Sequence, residues 1–165
     1  YQLILQKANP LKNGIDPENI SFLLFDISRL MRSEFEQRVA EAGLGVTPAE
    51  ARVLAHVARC QPIRQHLLAD RLGIARMSIT TFIDRLEGAG LLERLADPED
   101  RRAKFVSLTA AALPIMNKLG KIGEEVRLAA RGGIPDEEWE HFRKTALAIR
   151  GNLAPVRQKV KEMAQ

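Results

Sequence analysis

HLLADRLGIARMSITTFIDRL occupies residues 66–86, and its reading decides the fold. Leu67, Leu68 and Leu72 form one short apolar helix face, and Gly73 stops that helix. Glycine takes the left-handed conformation that ends a helix without a steric penalty. Ile74 to Met77 is a tight junction. Ile79, Phe82, Ile83 and Leu86 then recur at i, i+3, i+4 and i+7, the spacing of one buried helical face. Arg76, Met77, Ser78, Thr80, Thr81, Asp84 and Arg85 are left outside or at the helix start. A helix of this kind fits a DNA major groove with its N-terminal residues at the base edges. Arginine pairs with guanine there, and threonine and methionine methyls touch the thymine methyl.

The period changes just downstream. Leu91–Leu95 and Ala103–Leu108 read as two strands, so the segment between them is the tip of a hairpin. That tip is Asp97-Pro98-Glu99-Asp100-Arg101-Arg102. Asp97-Pro98 shapes the turn. A hairpin tip is thin enough to reach a minor groove, where a guanidinium meets negative potential. Arg101 and Arg102 supply the charge, Asp100 is placed to hold one guanidinium by a charge-assisted bond, and Lys104 adds a further cation. A solvated helix face and an ordinary charged turn would account for either feature alone. A glycine turn, a second helix and a hairpin in succession favour DNA.

The flanks are helical. Asp16-Pro17 is a helix start by residue type, and apolar residues from Ile20 to Val39 recur at three-to-four spacing up to a stop at Gly43. Thr47-Pro48-Ala49-Glu50 has the pattern of a capping box, opening a second helix to about Arg59. Cys60-Gln61-Pro62 then connects to the stretch quoted above. Thr109 is placed to cap a fifth helix, whose start Pro114 should kink or delay. Pro135-Asp136-Glu137-Glu138 opens a sixth, carrying Trp139, Phe142, Ala146, Ile149 and Leu153, with Pro155 interrupting it. The expected fold is mainly α (α+β): a winged helix-turn-helix lobe with a two-stranded wing, flanked by long helices. The expected parts are an arm and first dimerisation helix over 1–46, a DNA-binding domain over 47–109 and dimerisation helices over 110–165.

Composition bounds the function. The chain has 165 residues, 45% of them hydrophobic, which suits a globular core rather than disorder. A net charge of +4 permits a polyanionic partner without proving one. The single cysteine, Cys60, leaves no intrachain disulfide and fits a reducing cytoplasm. No apolar run approaches a membrane span. No nucleophile–base constellation, phosphate loop or metal cluster stands out, so no enzyme, cofactor or metal site is expected. His56 and Cys60 are one helical turn apart, a pair with no evident third ligand. Arg59 beside Cys60 leaves a thiol redox switch as an alternative, and a protein-interaction module without DNA binding as another.

Residues 66–109, HLLADRLGIARMSITTFIDRLEGAGLLERLADPEDRRAKFVSLT, resemble the winged helix-turn-helix of the MarR family of bacterial transcriptional regulators. The resemblance rests on Leu68-Ala69 with Leu72-Gly73-Ile74, Ile83-Asp84-Arg85-Leu86-Glu87, Gly90-Leu91-Leu92-Glu93-Arg94 and the Asp97–Arg102 tip. It implies a homodimer built from the first helix and the last two. Each subunit would offer its fourth helix to a major groove and its wing to a minor groove of double-stranded DNA, at a pseudo-palindromic operator. Most members repress, and many release DNA when a small, often aromatic anionic, ligand binds. The resemblance places such pockets where the first, second and fifth helices meet the DNA-binding lobe. Phe22, Phe25, Asp26, Arg29, His56 and Arg59 are the corresponding candidates, with Arg29 or Arg59 available to an anion. Two positions depart from the family pattern. Ala75 stands where a hydroxyl cap is common, and Pro114 falls in a helix that is usually regular.

Overall fold

A computed structural model describes residue 16, residues 18–98, residue 100 and residues 103–163, with side chains to residue 154. Helix α1 spans Ile20–Glu41. Its cap is Asn19 rather than the expected Asp16: the Asn19 side chain accepts from the backbone N–H of Ser21 at 3.0 Å and of Phe22 at 3.3 Å. The Asp16 carboxylate instead accepts from the Glu18 N–H at 3.0 Å, within the turn that leads into the helix. Both are short polar side chains that compete for the same orphan donors, and the nearer one takes them. Pro17 lies outside the described residues.

Helix α2 spans Pro48–Cys60 behind the expected capping box. The Glu50 N–H donates to Thr47 Oγ1 at 3.2 Å, and the Thr47 N–H donates to Glu50 Oε2 at 2.8 Å. Next come β1 (Ile63–Arg64), α3 (Gln65–Leu72), α4 (Arg76–Gly88), β2 (Leu92–Ala96) and β3 (Lys104–Leu108). The turn between α3 and α4 has Gly73 at φ +66°, the left-handed cap that joins the two helices.

The expected two-stranded wing is part of a three-stranded antiparallel sheet, ordered β1-β3-β2. Leu92 faces Leu108 and Ala96 faces Lys104 across the hairpin, while Ile63 faces Val106 on the other side of β3. A strand of two residues has no alternation to read, which is why the sequence does not announce β1. Gln61 continues this edge with its side chain, Oε1 accepting the Leu108 N–H at 2.8 Å. Leu54, Leu68, Ile79, Ile83, Leu86, Leu92 and Val106 are all buried and form one core between the helices and the sheet. Phe35 and Val39, in the C-terminal half of α1, pack on it, and Arg52 Nη1 reaches Glu36 Oε1 at 3.2 Å.

A 3-10 turn over Ala110–Ala112 precedes α5 (Leu113–Arg131), so Pro114 falls in the first turn of the α-helix. A missing N–H costs nothing there. Thr109 is not a side-chain cap: its hydroxyl donates to the Gly90 carbonyl. The described residues divide into two compact units, up to Gly123 and from Glu124. In the second, Arg131 Nη1 pairs with Asp136 Oδ1 at 2.6 Å, and the Trp139 and Phe142 rings lie 5.9 Å apart. Helix α6 runs Asp136–Met163 through Pro155. The expected interruption does not occur. One proline removes the bond to a single carbonyl, that of Gly151, and Gly151 is exposed to water.

Candidate nucleic-acid interface

Helix α4 is pinned by its inner face and open on its outer one. Ile79, Ile83 and Leu86 are buried. Arg76, Met77, Ser78, Thr81, Asp84 and Arg85 are exposed, and Met77 is 85% exposed. Ala75 occupies the N-cap position and makes no side-chain cap bond, as expected for alanine.

Three of the candidate residues on α4 have partners on other elements of the lobe. Thr80 is half-buried: Gln65 Nε2 donates to its hydroxyl at 2.7 Å, and the hydroxyl donates to the Arg76 carbonyl at 3.0 Å. Thr80 therefore fixes α3 against α4. Asp84 is held from the wing, because Arg94 on β2 forks between the carboxylates of Asp84 and Glu87. Arg85 approaches the buried Glu50 at 3.9 Å while staying largely exposed. The Thr81 hydroxyl donates to the Met77 carbonyl at 3.2 Å and remains on the outer face.

The wing root holds what sequence reasoning missed. Asp97, expected only to shape the turn, is 4% exposed. Its Oδ2 accepts Arg64 Nε from β1 at 2.7 Å, and the Arg64 guanidinium lies 5.6 Å from the Phe105 ring centroid. A buried carboxylate is tolerated only with a partner and hydrogen bonds, and β1 supplies them across a separation of 33 residues. No local signal announces such a pair. Asp100 is exposed, and its carbonyl accepts the Ala103 N–H at 2.9 Å. Lys104 is exposed at the start of β3. Arg101 and Arg102 lie outside the described residues.

The candidate effector residues fall on two helices. Phe22, Phe25, Asp26 and Arg29 lie on the N-terminal half of α1, all exposed, with Arg29 Nη2 pairing with Asp26 Oδ1 at 3.1 Å. His56 is half-buried on α2, its Nδ1 3.0 Å from the Arg52 carbonyl oxygen. Burial, with a smaller push from Arg52, Arg59 and Arg71, holds its pKa below the ordinary histidine value. Arg59 is exposed. The guanidinium that contacts the half-buried Cys60 sulfur is that of Arg71 on α3, not that of Arg59.

Comparison with known proteins places this geometry. The MarR family model matches residues 46–104, from the start of α2 into β3. The solved transcriptional regulator PA3341 is 32% identical, over 81% of this chain and 96% of that one, with a TM-score of 0.66. The chain belongs to the MarR family. A solved MarR aligns over 88% of this chain and 98% of its own at 25% identity, with a TM-score of 0.73. CouR from Rhodococcus jostii RHA1, solved bound to p-coumaroyl-CoA, shares the fold at 20% identity over 80% of this chain and 91% of its own, with a TM-score of 0.63. The winged helix of a MarR-family transcriptional regulator is thus what the α3–α4 pair and the β2–β3 hairpin form. No helix among the described residues is long and apolar enough to cross a membrane.

Proposed function

We propose that this protein is a homodimeric, cytoplasmic repressor that binds double-stranded DNA at a pseudo-palindromic operator and leaves it when a small aromatic anion binds. One observation carries the DNA reading: α4 turns a buried apolar face to the core and an exposed, polar and cationic face with Met77 to solvent, directly beside the wing. On this reading Arg76, Met77, Ser78 and Thr81 meet bases, and Arg85 and Lys104 meet phosphates. Arg101 is the minor-groove probe, with Asp100 bracing Arg102. Residues 47–109 are the DNA-binding domain, and 1–46 and 110–165 the dimerisation segments.

The dimer is supported by α1, whose N-terminal half exposes Ile20, Phe22, Leu23, Phe25, Ile27 and Leu30. Exposed apolar area of this extent on one helix calls for a protein surface. The effector reading is supported by CouR, whose bound ligand is a CoA thioester of an aromatic acid. Phe22, Phe25, Asp26, Arg29, His56 and Arg59 are its candidate contacts.

Selection of genomic fragments by the purified protein, followed by footprinting and gel shifts at stated salt, tests this. The expected footprint holds two half-sites about one helical turn apart, with affinity that falls as salt rises. Arg101→Ala should bind weakly and lower the salt slope by about one unit per subunit. Failure to enrich any fragment would overturn the proposal.

A further inference from the structure

A cavity of about 320 Å³ opens between the start of α3, the start of α4 and the root of the wing. Gln65 and His66 line it from α3, Arg76 and Thr80 from α4, and Lys104 from β3, with Ile79 below them. Among the described residues, no carboxylate lines it. Three elements that are separate in the chain thus turn basic or donor groups toward one volume. It is far larger than the ~30 Å³ share of one water. Among the described residues, Arg76, His66 and Lys104 form no ion pair, whereas Arg64, Arg85 and Arg94 elsewhere in the lobe each face an acid. Thr80 has its hydroxyl proton on the Arg76 carbonyl, and one N–H of the Gln65 amide goes to Thr80. Those bonds set the wall of the notch and leave the cations as its open functional groups.

We infer that this notch is the seat of one DNA backbone phosphate per subunit. Lys104 from β3 and His66 from α3 face the phosphodiester across the notch, so one anionic group joins the helix-turn-helix to the wing. The inference rests on the DNA reading above and adds His66 and Gln65 to the interface. A phosphate suits the notch better than a base edge, because every charged lining group is a donor and none is an acceptor that would select a base pattern. The notch therefore fixes register and adds affinity without sequence preference.

The test is a methylphosphonate scan. The protein as it stands is bound to a duplex of about three turns carrying its selected operator, with one phosphate at a time replaced by a neutral methylphosphonate. In the wild type, one position per half-site should weaken binding about five-fold at physiological salt, the effect of losing a counterion-release slope of about 0.9. That position should have no effect in Lys104→Ala or His66→Ala, while the other sensitive phosphates keep theirs. Both side chains are exposed, so both variants should fold, as checked by circular dichroism. If every sensitive phosphate weakens the variants as much as the wild type, the notch holds none, and DNA binding still stands. If the wild type binds no duplex, the notch and the DNA reading fall together.

Discussion

Helices α4 and α1 are both amphipathic, and they solve opposite problems. On α4 the apolar face is buried and the face left over is polar. On the N-terminal half of α1 much of the surface left over is apolar: Phe25 is 72% exposed on one side, and Ile20, Leu23, Ile27 and Leu30 are exposed on the other. A helix that finishes its packing inside its own lobe has a surface free for a charged polymer. One that does not finish needs another protein. The contrast separates the two proposed interfaces in one short chain, and the two should fail independently.

The largest expected effect breaks the α1 side. Phe25→Glu with Leu30→Glu should give a folded monomer by sedimentation equilibrium, with operator affinity reduced about a thousand-fold or more, toward the non-specific level. A wild-type protein that is already monomeric at micromolar concentration would remove the dimer from the account. Next, Arg64→Met strikes beneath the wing. It leaves the Asp97 carboxylate buried without its β1 partner and should cost about 3 kcal/mol in urea denaturation. Third, Arg76→Ala and Thr81→Ala should each cost ~1–3 kcal/mol of operator binding and relax one or two base preferences. Their stability should move by less than about 0.5 kcal/mol, as befits exposed positions. Equal weakening on all sequences would reassign both residues to phosphate contact.

The smallest effect is titration of His56. Burial holds its folded pKa below the unfolded value of 6.5, so the unfolded chain binds the proton more readily. The His56 contribution to stability is thus complete above about pH 6.5 and shrinks as pH falls toward the lower folded value. His56→Gln should flatten that part of the stability–pH curve, and a variant as pH-sensitive as the wild type would place the titrating group elsewhere.

The parts of this fold legible in sequence are those with a local physical cause. Periodicity fixed the inner face of α4, the Thr47–Glu50 pair marked the start of α2, and Gly73 marked the turn. Sequence failed where the cause is distant or too short to have a pattern. Strand β1 is two residues long. Asp97 and Arg64 meet only once the sheet has formed. Asn19 and Asp16 are both sound caps on residue type, and geometry chose between them. Pro155 illustrates the reverse error, a local rule overridden by a helix long enough to absorb one lost bond. The proposed interface was legible as an exposed face, but Thr80 and Asp84 are tied to neighbouring elements of the lobe, and the contribution of α3 to the notch has no sequence signal.

The fork of Arg94 also has a consequence for inheritance. One guanidinium serves a carboxylate on the outer face of α4 and another near its end. No one of Asp84, Glu87 and Arg94 can drift alone: losing Arg94 leaves two acids one turn apart on the face proposed to approach DNA, and losing an acid leaves half a fork. The three positions should therefore change together in related chains, or not at all. A variation at residue 84 that looks like a change of operator preference would then be recorded in β2 as well, at residue 94.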